Sequence, residues 1–499
     1  MKTRVTFWNI LSLLLLASLF LTACGGAEAT TPAATEAVEE VAEATEPPAP
    51  TEEPTEVPEP TATEVPPEPT ATEDPMAACP DGPVTVGVHD WSSADRQEYW
   101  DQVINAFNEA NPCIVAETVK LPEDRAVRLQ EISAGTAPCL VGFDSSDLPR
   151  VYLMGALMDL TPLMDADGFK PLDEFYESVY NTGIVDGKPV AIAKDYSTSA
   201  FYVNTDLLEK AGIAVPVEGW TYDDYLMYAQ QLTVDENGNN ATSPDFDATK
   251  VVQWGGALPY WGGTTGWWRG FQSALYSFGT KTISDDGTTT TGYINSEKAV
   301  QTWTWFRDFI HTNKAAPGAS YMAAIEQGFS DLFSAGKLAI AGAYWGPWFQ
   351  DTFNAAEGLK WTVVPLPTGE KHEGAIMWMG WGINSNCQTP AQAWQLLKWL
   401  TTDPGQLVFA QKALTGDMSV ATELQKSDDP YWGAFLAEVP FQGRLDDMTT
   451  PFYTTCVDIP ASELMGKIFA DEGVNLDIQA ELDKLAAAAD QCLADSVIE

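Results

Sequence analysis

Glycine-flanked tryptophans are the residues of this sequence whose type and spacing suggest a specific chemistry. The stretch GGALPYWGGTTGWWRGF, residues 255–271, holds three tryptophans among six glycines. Neither a helix interior nor a strand interior favours that proportion of glycine. An indole offers a rigid apolar face that can cover the C–H surface of a sugar ring, and an adjacent glycine lets the backbone approach the ligand. The pattern therefore predicts a platform on which a sugar stacks.

More tryptophans lie near glycine later in the chain. Trp345 and Trp348 lie in YWGPW, and Trp378 and Trp381 flank Gly380 in a predicted strand. Because side chains alternate along a strand, only one of Trp378 and Trp381 should face a ligand, and we expect it to be Trp381. The alternative role of an indole is packing in a core, which helical spacing predicts for Trp100, Trp303, Trp305, Trp394 and Trp399.

An alternation of strands and helices must position these rings. VTVGVHDW and IVAETVKL are typical of buried strands, and CLVGFDSSD is a third apolar run that ends in carboxylates. Helices are predicted between them over residues 94–111 and 124–135. This order indicates an α/β protein with a mainly parallel sheet flanked by helices.

Polar groups follow the predicted strands at the ends where ligands bind in such sheets. The loop after the first strand offers Trp91, Ser92 and Asp95, and the loop after the third offers Asp144 and Asp147. Carboxylates at these ends can bond the hydroxyl groups of a sugar. Each could instead cap a helix, and Asp147 before LPRVY is such a candidate.

Five segments follow one another in an order that resembles a known family. They are GTAPCLVGFDSSDLPRVYLMGALMDLTPL, DGKPVAIAKDYSTSAFYVNTDLLEKAGI, FSAGKLAIAGAYWGPW, WTVVPLPTG and GWGINSNCQTPAQAWQLLKWLT. Together they resemble the extracellular solute-binding proteins of ABC importers, the family that includes maltose-binding protein. The resemblance runs from about Val84 to Thr402 and weakens through the C-terminal helices.

The resemblance implies two α/β lobes, joined by a hinge, that close on a ligand. Lobe one would comprise residues 78–194 and 374–421, and lobe two residues 195–373 and 422–499. The chain would cross from lobe one to lobe two near Lys194, return near Gly374, and cross again after about Ala421.

The resemblance also implies ligand contacts at the first crossing and in the GPW turn. Asp195 and Tyr196 lie at that crossing, and Trp348 corresponds to an aromatic that contacts the sugar in the family. Arg269, among the loop indoles, could stack or pair with an acid. The complete set of expected ligand contacts is Trp91, Ser92, Asp95, Asp144, Asp147, Asp195, Tyr196, Trp261, Trp267, Trp268, Arg269, Trp345, Trp348, Trp378 and Trp381.

The N-terminus resembles a bacterial lipoprotein signal. Lys2 and Arg4 precede a short apolar run that ends in LTACGG, which predicts a signal peptide over 1–23 and a lipid on Cys24. The alternative is an ordinary signal peptide with an incidental cysteine. Residues 24–77, rich in Thr, Glu and Pro, carry fourteen acidic groups and no aromatic or basic ones, which predicts a disordered tether.

Six further cysteines are predicted to form disulfides, because an exported chain with an even number commonly does so. Their spacing alone leaves fifteen connectivities open. The order of strands implied by the resemblance favours three pairs, namely Cys79 with Cys113, Cys139 with Cys387, and Cys456 with Cys492.

Charge and histidine content exclude several classes of function. The formal net charge of −45 at pH 7 disfavours binding to nucleic acid or to anionic lipid. His89, His311 and His372 lack metal-ligand spacing and no Ser or Cys nucleophile is evident beside them, so we expect no metal, cofactor or catalytic residue. DENGN at Asp235 lacks the glycine that a calcium loop needs at its sixth position and is better explained as a hairpin turn.

The sequence therefore predicts a monomeric, lipid-anchored receptor on the outer face of the cell membrane. It would capture a neutral sugar or oligosaccharide between two lobes and deliver it to the permease subunits of an ABC transporter. The alternative is an exported glycoside hydrolase, because carboxylates are plentiful enough to supply a catalytic pair. A surface adhesin ranks below both.

Overall fold

The structure is a computed structural model that describes residues 79, 82–90, 97–122, 124–257, 268–325, 328–345 and 349–496. For residues 268, 269 and 343–345 it describes the backbone alone. The predicted signal peptide, the predicted tether and Cys24 lie outside the described residues. In the part of the chain that is described, no helix is both long enough and apolar enough to cross a bilayer.

Strands and helices alternate through most of the described chain. The strands are β1 Val84–His89, β2 Ile114–Val119, β3 Leu140–Asp144, β4 Ile184–Val185, β5 Lys188–Pro189, β6 Ile192–Ser197, β7 Ser199–Asn204, β8 Val234–Asp235, β9 Val251–Ala257, β10 Leu338–Trp345, β11 Trp361–Val364, β12 Gly374–Ile383 and β13 Gln442–Arg444. The α-helices are α1 Gln97–Ala110, α2 Arg125–Ser133, α3 Leu148–Leu153, α4 Thr161–Asp167, α5 Pro171–Glu174, α6 Glu177–Tyr180, α7 Thr205–Lys210, α8 Tyr222–Leu232, α9 Trp268–Ser277, α10 Glu297–His311, α11 Ala319–Ile325, α12 Phe329–Ser334, α13 Gln350–Ala355, α14 Pro390–Thr401, α15 Gly405–Phe409, α16 Met418–Glu423, α17 Pro430–Ala437, α18 Ile459–Phe469 and α19 Ile478–Asp495.

The first sheet has the strand order β13-β12-β3-β1-β2, and β6 also pairs with β12. β1 pairs in parallel with both β2 and β3, as the alternation of strands and helices predicted. β12 returns antiparallel to β3 and β6, whereas β13 runs parallel to β12. The predicted α/β fold class is confirmed.

The second sheet has the order β11-β7-β10-β9-β8. β9 and β10 are parallel to each other, and β7 runs antiparallel to its neighbours β10 and β11. A short antiparallel hairpin, β4 with β5, stands apart from both sheets. The two sheets are therefore separate in their hydrogen bonding, although one hydrophobic cluster contains residues of both, such as Phe143 of β3 and Tyr202 of β7.

Amphipathic helices form where the sequence predicted them. α1 buries Trp100, Val103, Ile104 and Phe107 on one face, as their spacing predicted. α2 begins after Asp124, whose carboxylate accepts a hydrogen bond from the backbone N–H of Val127 and caps the helix. Among the indoles predicted to pack in a core, Trp100, Trp303 and Trp394 are buried, and Trp305 and Trp399 are partly buried against the core.

The chain passes from the first sheet to the second at Thr198, between β6 and β7. β6 thus continues the first sheet to Ser197, beyond the predicted lobe boundary at residue 194. β13 lies in a range predicted for lobe two, yet it pairs with β12 of the first sheet. The ranges of the two lobes stay a prediction.

The described cysteines pair as predicted. The Cα atoms are 5.4 Å apart in Cys79–Cys113, 4.8 Å apart in Cys139–Cys387 and 5.5 Å apart in Cys456–Cys492. The first disulfide joins residues next to the starts of β1 and β2, and the third ties the C-terminal helices together. All three pairings that the family resemblance implied are confirmed.

Candidate functional site

The strand ends of both sheets meet where the chain passes from one sheet to the other. Asp144 at the end of β3 pairs with Met379 of β12, and Ser197 at the end of β6 pairs with Met377 of the same strand. In the second sheet, Trp345 at the end of β10 pairs with Ser199 at the start of β7. Because only Thr198 separates Ser197 from Ser199, the carboxyl ends of β3, β6 and β10 lie at one junction. Such ends are where open α/β sheets bind ligands.

Many of the predicted contacts follow these strand ends but lie beyond what the structure describes. Outside the described residues are Trp91, Ser92, Asp95, Trp261, Trp267 and Trp348. The backbones of Trp268, Arg269 and Trp345 are placed at the start of α9 and the end of β10, and nothing is described of their side chains. For these nine residues the expected ligand contact stays a prediction.

Asp144 and Asp147 lie in the turn that follows β3, hereafter the strand-end turn (residues 144–147). Asp144 accepts hydrogen bonds from the backbone N–H of Ser146 at 3.0 Å and from its hydroxyl at 2.8 Å. Asp147 precedes α3, as predicted, but its side chain makes no capping hydrogen bond. It instead accepts a hydrogen bond from Nε of Arg125 at 2.6 Å. The structure thus replaces the predicted cap by an ion pair.

The ion pair joins a buried carboxylate to a half-exposed guanidinium. The side chain of Asp147 is 1% exposed and that of Arg125 is 46% exposed. Burial raises the pKa of Asp147, and the charge and hydrogen bonds of Arg125 oppose that rise. Oδ2 of Asp147 and Oγ of Ser145 are buried and have no hydrogen-bond partner among the described residues. The strand-end turn therefore has unused hydrogen-bonding capacity.

A second carboxylate network lies at the end of β1. Asp90 forms an ion pair with Lys120 at 3.0 Å and accepts a hydrogen bond from Nε2 of Gln97 at 3.3 Å. The neighbouring His89 is buried with Nδ1 3.0 Å from the carbonyl oxygen of Gly142, and burial lowers its pKa to about 4. His89 is therefore neutral at physiological pH and joins β1 to β3.

Sequence reasoning missed the basic groups at these strand ends. Neither Lys120 nor Arg125 was among the expected site residues, yet both reach strand-end carboxylates. Lys120 directly follows β2 and Arg125 is the first residue of α2, so both lie beyond the carboxyl end of a parallel strand, on the ligand side of the sheet. That position after β2 is the signal that could have identified them.

Asp195 and Tyr196 lie on β6 near the junction, as the family resemblance implied. Asp195 forms an ion pair with Lys194, whose buried side chain also lies 4.3 Å from the ring centre of Phe409. Tyr196 is 2% exposed, and its ring lies edge-on to that of Tyr176. Both side chains are thus held by protein contacts, and their expected ligand contact stays a prediction.

Trp378 and Trp381 lie on opposite faces of β12, as predicted, but the expectation that Trp381 faces the ligand is wrong. Trp381 is 2% exposed, stacks on Trp100 of α1 with ring centres 5.5 Å apart, and donates a hydrogen bond to the carbonyl oxygen of His89. Trp378 is 1% exposed and packs edge-on against Phe143. The structure therefore places both indoles in cores, because helices or loops cover both faces of this central strand.

The glycines beside these indoles also have a packing role. A Cβ on Gly380 would lie 2.2 Å from the carbonyl oxygen of Ile192 on the neighbouring strand β6. At the start of the glycine-rich stretch, a Cβ on Gly255 would lie 1.9 Å from the carbonyl oxygen of Ala229. Both glycines are required by close backbone approach within the protein, which is a different reason from the approach of a ligand.

A separate depression of about 1170 Å³ lies beside the junction. Its lining includes Tyr152 of α3, Asp186 of the β4–β5 hairpin, Tyr276, Lys281 and Phe452. None of the predicted ligand contacts is among its lining residues in the described part of the chain. Across the same part, no group of His, Cys, Asp or Glu is arranged to hold a metal ion.

The hairpin turn predicted at Asp235 is confirmed. Both oxygens of Asp235 accept hydrogen bonds within the protein: Oδ1 from the backbone N–H groups of Asn237 and Asn239, and Oδ2 from that of Asp247. These bonds occupy the carboxylate that a calcium loop would use as its first ligand.

Comparisons with known proteins agree with this architecture. A protein of Brucella abortus named as a binding protein is 26% identical over 421 residues, which cover 80% of this chain and 91% of that protein. An ABC substrate-binding protein from Listeria monocytogenes, solved with cycloalternan, superposes with a TM-score of 0.67 at 19% identity, covering 83% of this chain and all of that one. The sugar-binding protein MalE from Xanthomonas citri superposes with a TM-score of 0.68 at 17% identity, covering 82% of this chain and 98% of that one.

The two solved structures establish the fold alone, because their sequence identities are too low for function to be transferred from them. A family model matches residues 102–434, about two thirds of the chain, and describes bacterial extracellular solute-binding proteins. These are binding proteins and not enzymes. The chain therefore belongs to the bacterial extracellular solute-binding protein family.

Proposed function

We propose that this protein is a lipid-anchored receptor that captures a neutral sugar or oligosaccharide and delivers it to the permease of an ABC importer. The observation that carries the proposal is the meeting of strand ends from both sheets at one junction. Ligand contacts from both sides of such a junction favour a closed state by population shift. The lipid on Cys24 would hold the receptor at the outer face of the membrane.

The chemistry of the junction supports a neutral, hydroxylated ligand. The basic groups at the strand ends are already paired with carboxylates, Lys120 with Asp90 and Arg125 with Asp147. An anionic ligand would have to compete with these carboxylates for the same donors. Hydroxyl groups can donate to unused carboxylate oxygens, and the indoles predicted around the junction would cover sugar faces. The Listeria and Xanthomonas proteins of the same fold are named for carbohydrate or sugar binding.

Incubation with a mixed pool of neutral oligosaccharides tests the ligand class. We expect the purified protein to retain a subset of the pool on gel filtration, and mass spectrometry should recover those sugars unchanged. A glycoside hydrolase would instead release new reducing ends with time. Failure to retain any sugar from a broad pool would contradict the proposal.

Replacement of Trp348 tests the stacking role. For a sugar identified in the pool, Trp348→Ala should raise the Kd about tenfold or more, because an apolar contact worth roughly 1.5–3 kcal/mol is lost. Trp348→Phe retains an aromatic face and should keep most of the affinity. If the folded Trp348→Ala variant binds the sugar as the unaltered protein does, Trp348 is not a stacking residue.

Fractionation of cells that express the full chain tests the anchor. The protein should partition with membranes, and its N-terminal peptide should carry the mass of lipid on Cys24. The Cys24→Ser variant should leave the membrane fraction or remain unprocessed. Release of the unaltered protein without lipid would contradict anchoring.

A further inference from the structure

Two segments run side by side from the second sheet to the first. One, residues 365–373, leads from β11 into β12. The other, residues 438–441, leads from α17, which packs on β7 and β11, into β13. β13 is parallel to β12, with Gln442 opposite Gly374, so the two segments enter the first sheet together. Any rotation of one sheet relative to the other must pass through both segments.

A buried carboxylate joins these two segments. Glu438 Oε1 accepts a hydrogen bond from the backbone N–H of Leu366 at 3.1 Å. Its Oε2 lies 3.0 Å from Nε2 of His372 and accepts a hydrogen bond from Nε2 of Gln442 at 3.2 Å. The side chains of Glu438 and His372 are 2% and 15% exposed, respectively. Two donors therefore come from the first segment and one from β13, all to a single carboxylate.

His372 is held on its other side as well. Its Nδ1 lies 3.2 Å from the hydroxyl of Thr368, and its ring lies edge-on to Phe441 with ring centres 4.6 Å apart. Thr368 in turn donates its backbone N–H to the carbonyl oxygen of Trp220. The imidazole therefore has a fixed orientation between the two segments, which allows its charge to act on a defined geometry.

The charged groups around the imidazole favour its protonated form. The hydrogen bond to Glu438 is the main cause that raises the pKa of His372 above its usual 6.5, burial opposes the rise, and the charges of Glu438 and Glu218 add to it. Nearby, Lys371 forms an ion pair with Glu373 at 3.2 Å, and the phenol of Tyr222, whose pKa burial raises, remains neutral. The charge that surrounds the imidazole of His372 is therefore predominantly negative.

We infer that His372 and Glu438 form a proton-sensitive clasp that sets the stiffness of the connection between the two sheets. Below the pKa of His372 the contact is an ion pair between two largely buried groups, and the two segments move as one unit. As pH rises through that pKa, the carboxylate keeps only neutral donors and the segments separate more readily. The clasp concerns the connecting segments alone and does not depend on which solute is bound.

Hydrogen exchange read by mass spectrometry tests the clasp without any ligand. After correction for intrinsic exchange, amides of 365–373 and 438–444 should lose about threefold or more of their protection between about pH 5.5 and about pH 8.5. Amides of α1, whose buried residues lie in a different hydrophobic cluster from Leu366 and Val439, should keep theirs. His372→Gln, which retains a neutral donor, should show low and pH-independent protection in both segments.

The histidine at the end of α10 supplies a matched control. His311 is also partly buried, and its Nε2 lies 3.1 Å from the carbonyl oxygen of Ile468 rather than from a carboxylate. His311→Gln should leave the pH dependence of both segments as in the unaltered protein. Glu438→Gln, which keeps an acceptor for Leu366, should abolish the pH dependence without removing the fold. The inference fails if His372→Gln retains the pH-dependent loss, or if the unaltered protein shows none.

Discussion

Asp147 and Glu438 are both buried carboxylates at the junction of the two sheets, yet their surroundings differ. Asp147 pairs with a guanidinium that stays charged at every physiological pH, and its Oδ2 has no hydrogen-bond partner among the described residues. Glu438 uses both oxygens and pairs with an imidazole that can lose its proton. The strand-end turn therefore has a permanently charged partner and spare acceptor capacity, which suits a ligand. The clasp has neither, which suits a response to protons.

The largest effect should come from removing the clasp carboxylate. Glu438→Ala would leave the backbone N–H of Leu366 and the imidazole of His372 without their acceptor in a buried site. We expect a loss of about 3 kcal/mol or more in the free energy of unfolding, measured by denaturant titration. The adjacent Glu373→Ala, which removes an exposed ion pair, is the control and should cost much less. Equal losses in both variants would remove the distinction between clasp and surface.

A smaller effect is expected at the strand-end turn. Arg125→Met should lower the free energy of unfolding by about 1–3 kcal/mol, because the buried Asp147 loses its charged donor. The loss is limited because Asp147 can take up a proton. Arg150→Met, at an exposed position on α3, is the matched control.

The pH dependence of the same variant sharpens the comparison. Because the pKa of Asp147 is raised in the folded state, that group binds its proton more tightly there than in the unfolded chain, so stability falls as pH rises through the folded pKa. Without Arg125 the fall should extend to higher pH. His372 also has a raised pKa in the folded state, but there it is the charged form of the side chain that is favoured. Its contribution to the free energy of unfolding is therefore present below about pH 6.5 and is lost as pH rises through the folded pKa. An Arg125→Met profile parallel to that of the unaltered protein would contradict the assignment.

The smallest effect should come from a surface ion pair on α19. Lys484 lies 2.6 Å from Glu481 one turn earlier, and its side chain is 71% exposed. Lys484→Ala should shift the Tm by less than about 2 °C in calorimetry, since solvent and salt screen such pairs. A larger shift would mean that exposed pairs contribute as much here as the two buried carboxylates.

Local patterns predicted β1, β2 and β3, the amphipathic face of α1 and the helix after Asp124, because these depend on neighbours a few residues apart. The disulfide pairs also followed, once the family resemblance supplied the order of strands. Strand alternation placed Trp378 and Trp381 on opposite faces, but which face is open depends on the helices that cover them. Trp100 of α1, which covers Trp381, is 281 residues away in sequence.

The charged pairs could not be predicted for the same physical reason. Arg125 and Asp147 are 22 residues apart, and His372 and Glu438 are 66 apart, in patterns that no helix or strand period relates. Each pair forms only when separate connections arrive at the same strand ends. Sequence reasoning can state that such ends hold polar groups, but it does not supply the partner.

The disulfide between Cys79 and Cys113 has a mechanical consequence. β1 lies in the interior of the first sheet, between β2 and β3, and Cys79 lies just before it. A pull on the chain before Cys79 would otherwise peel β1 out of the sheet one hydrogen bond at a time. The sulfur bridge diverts part of that load to the start of β2, so a covalent bond carries the force. When the folded part of the protein is pulled from its N-terminal end, β1 can therefore stay in the sheet.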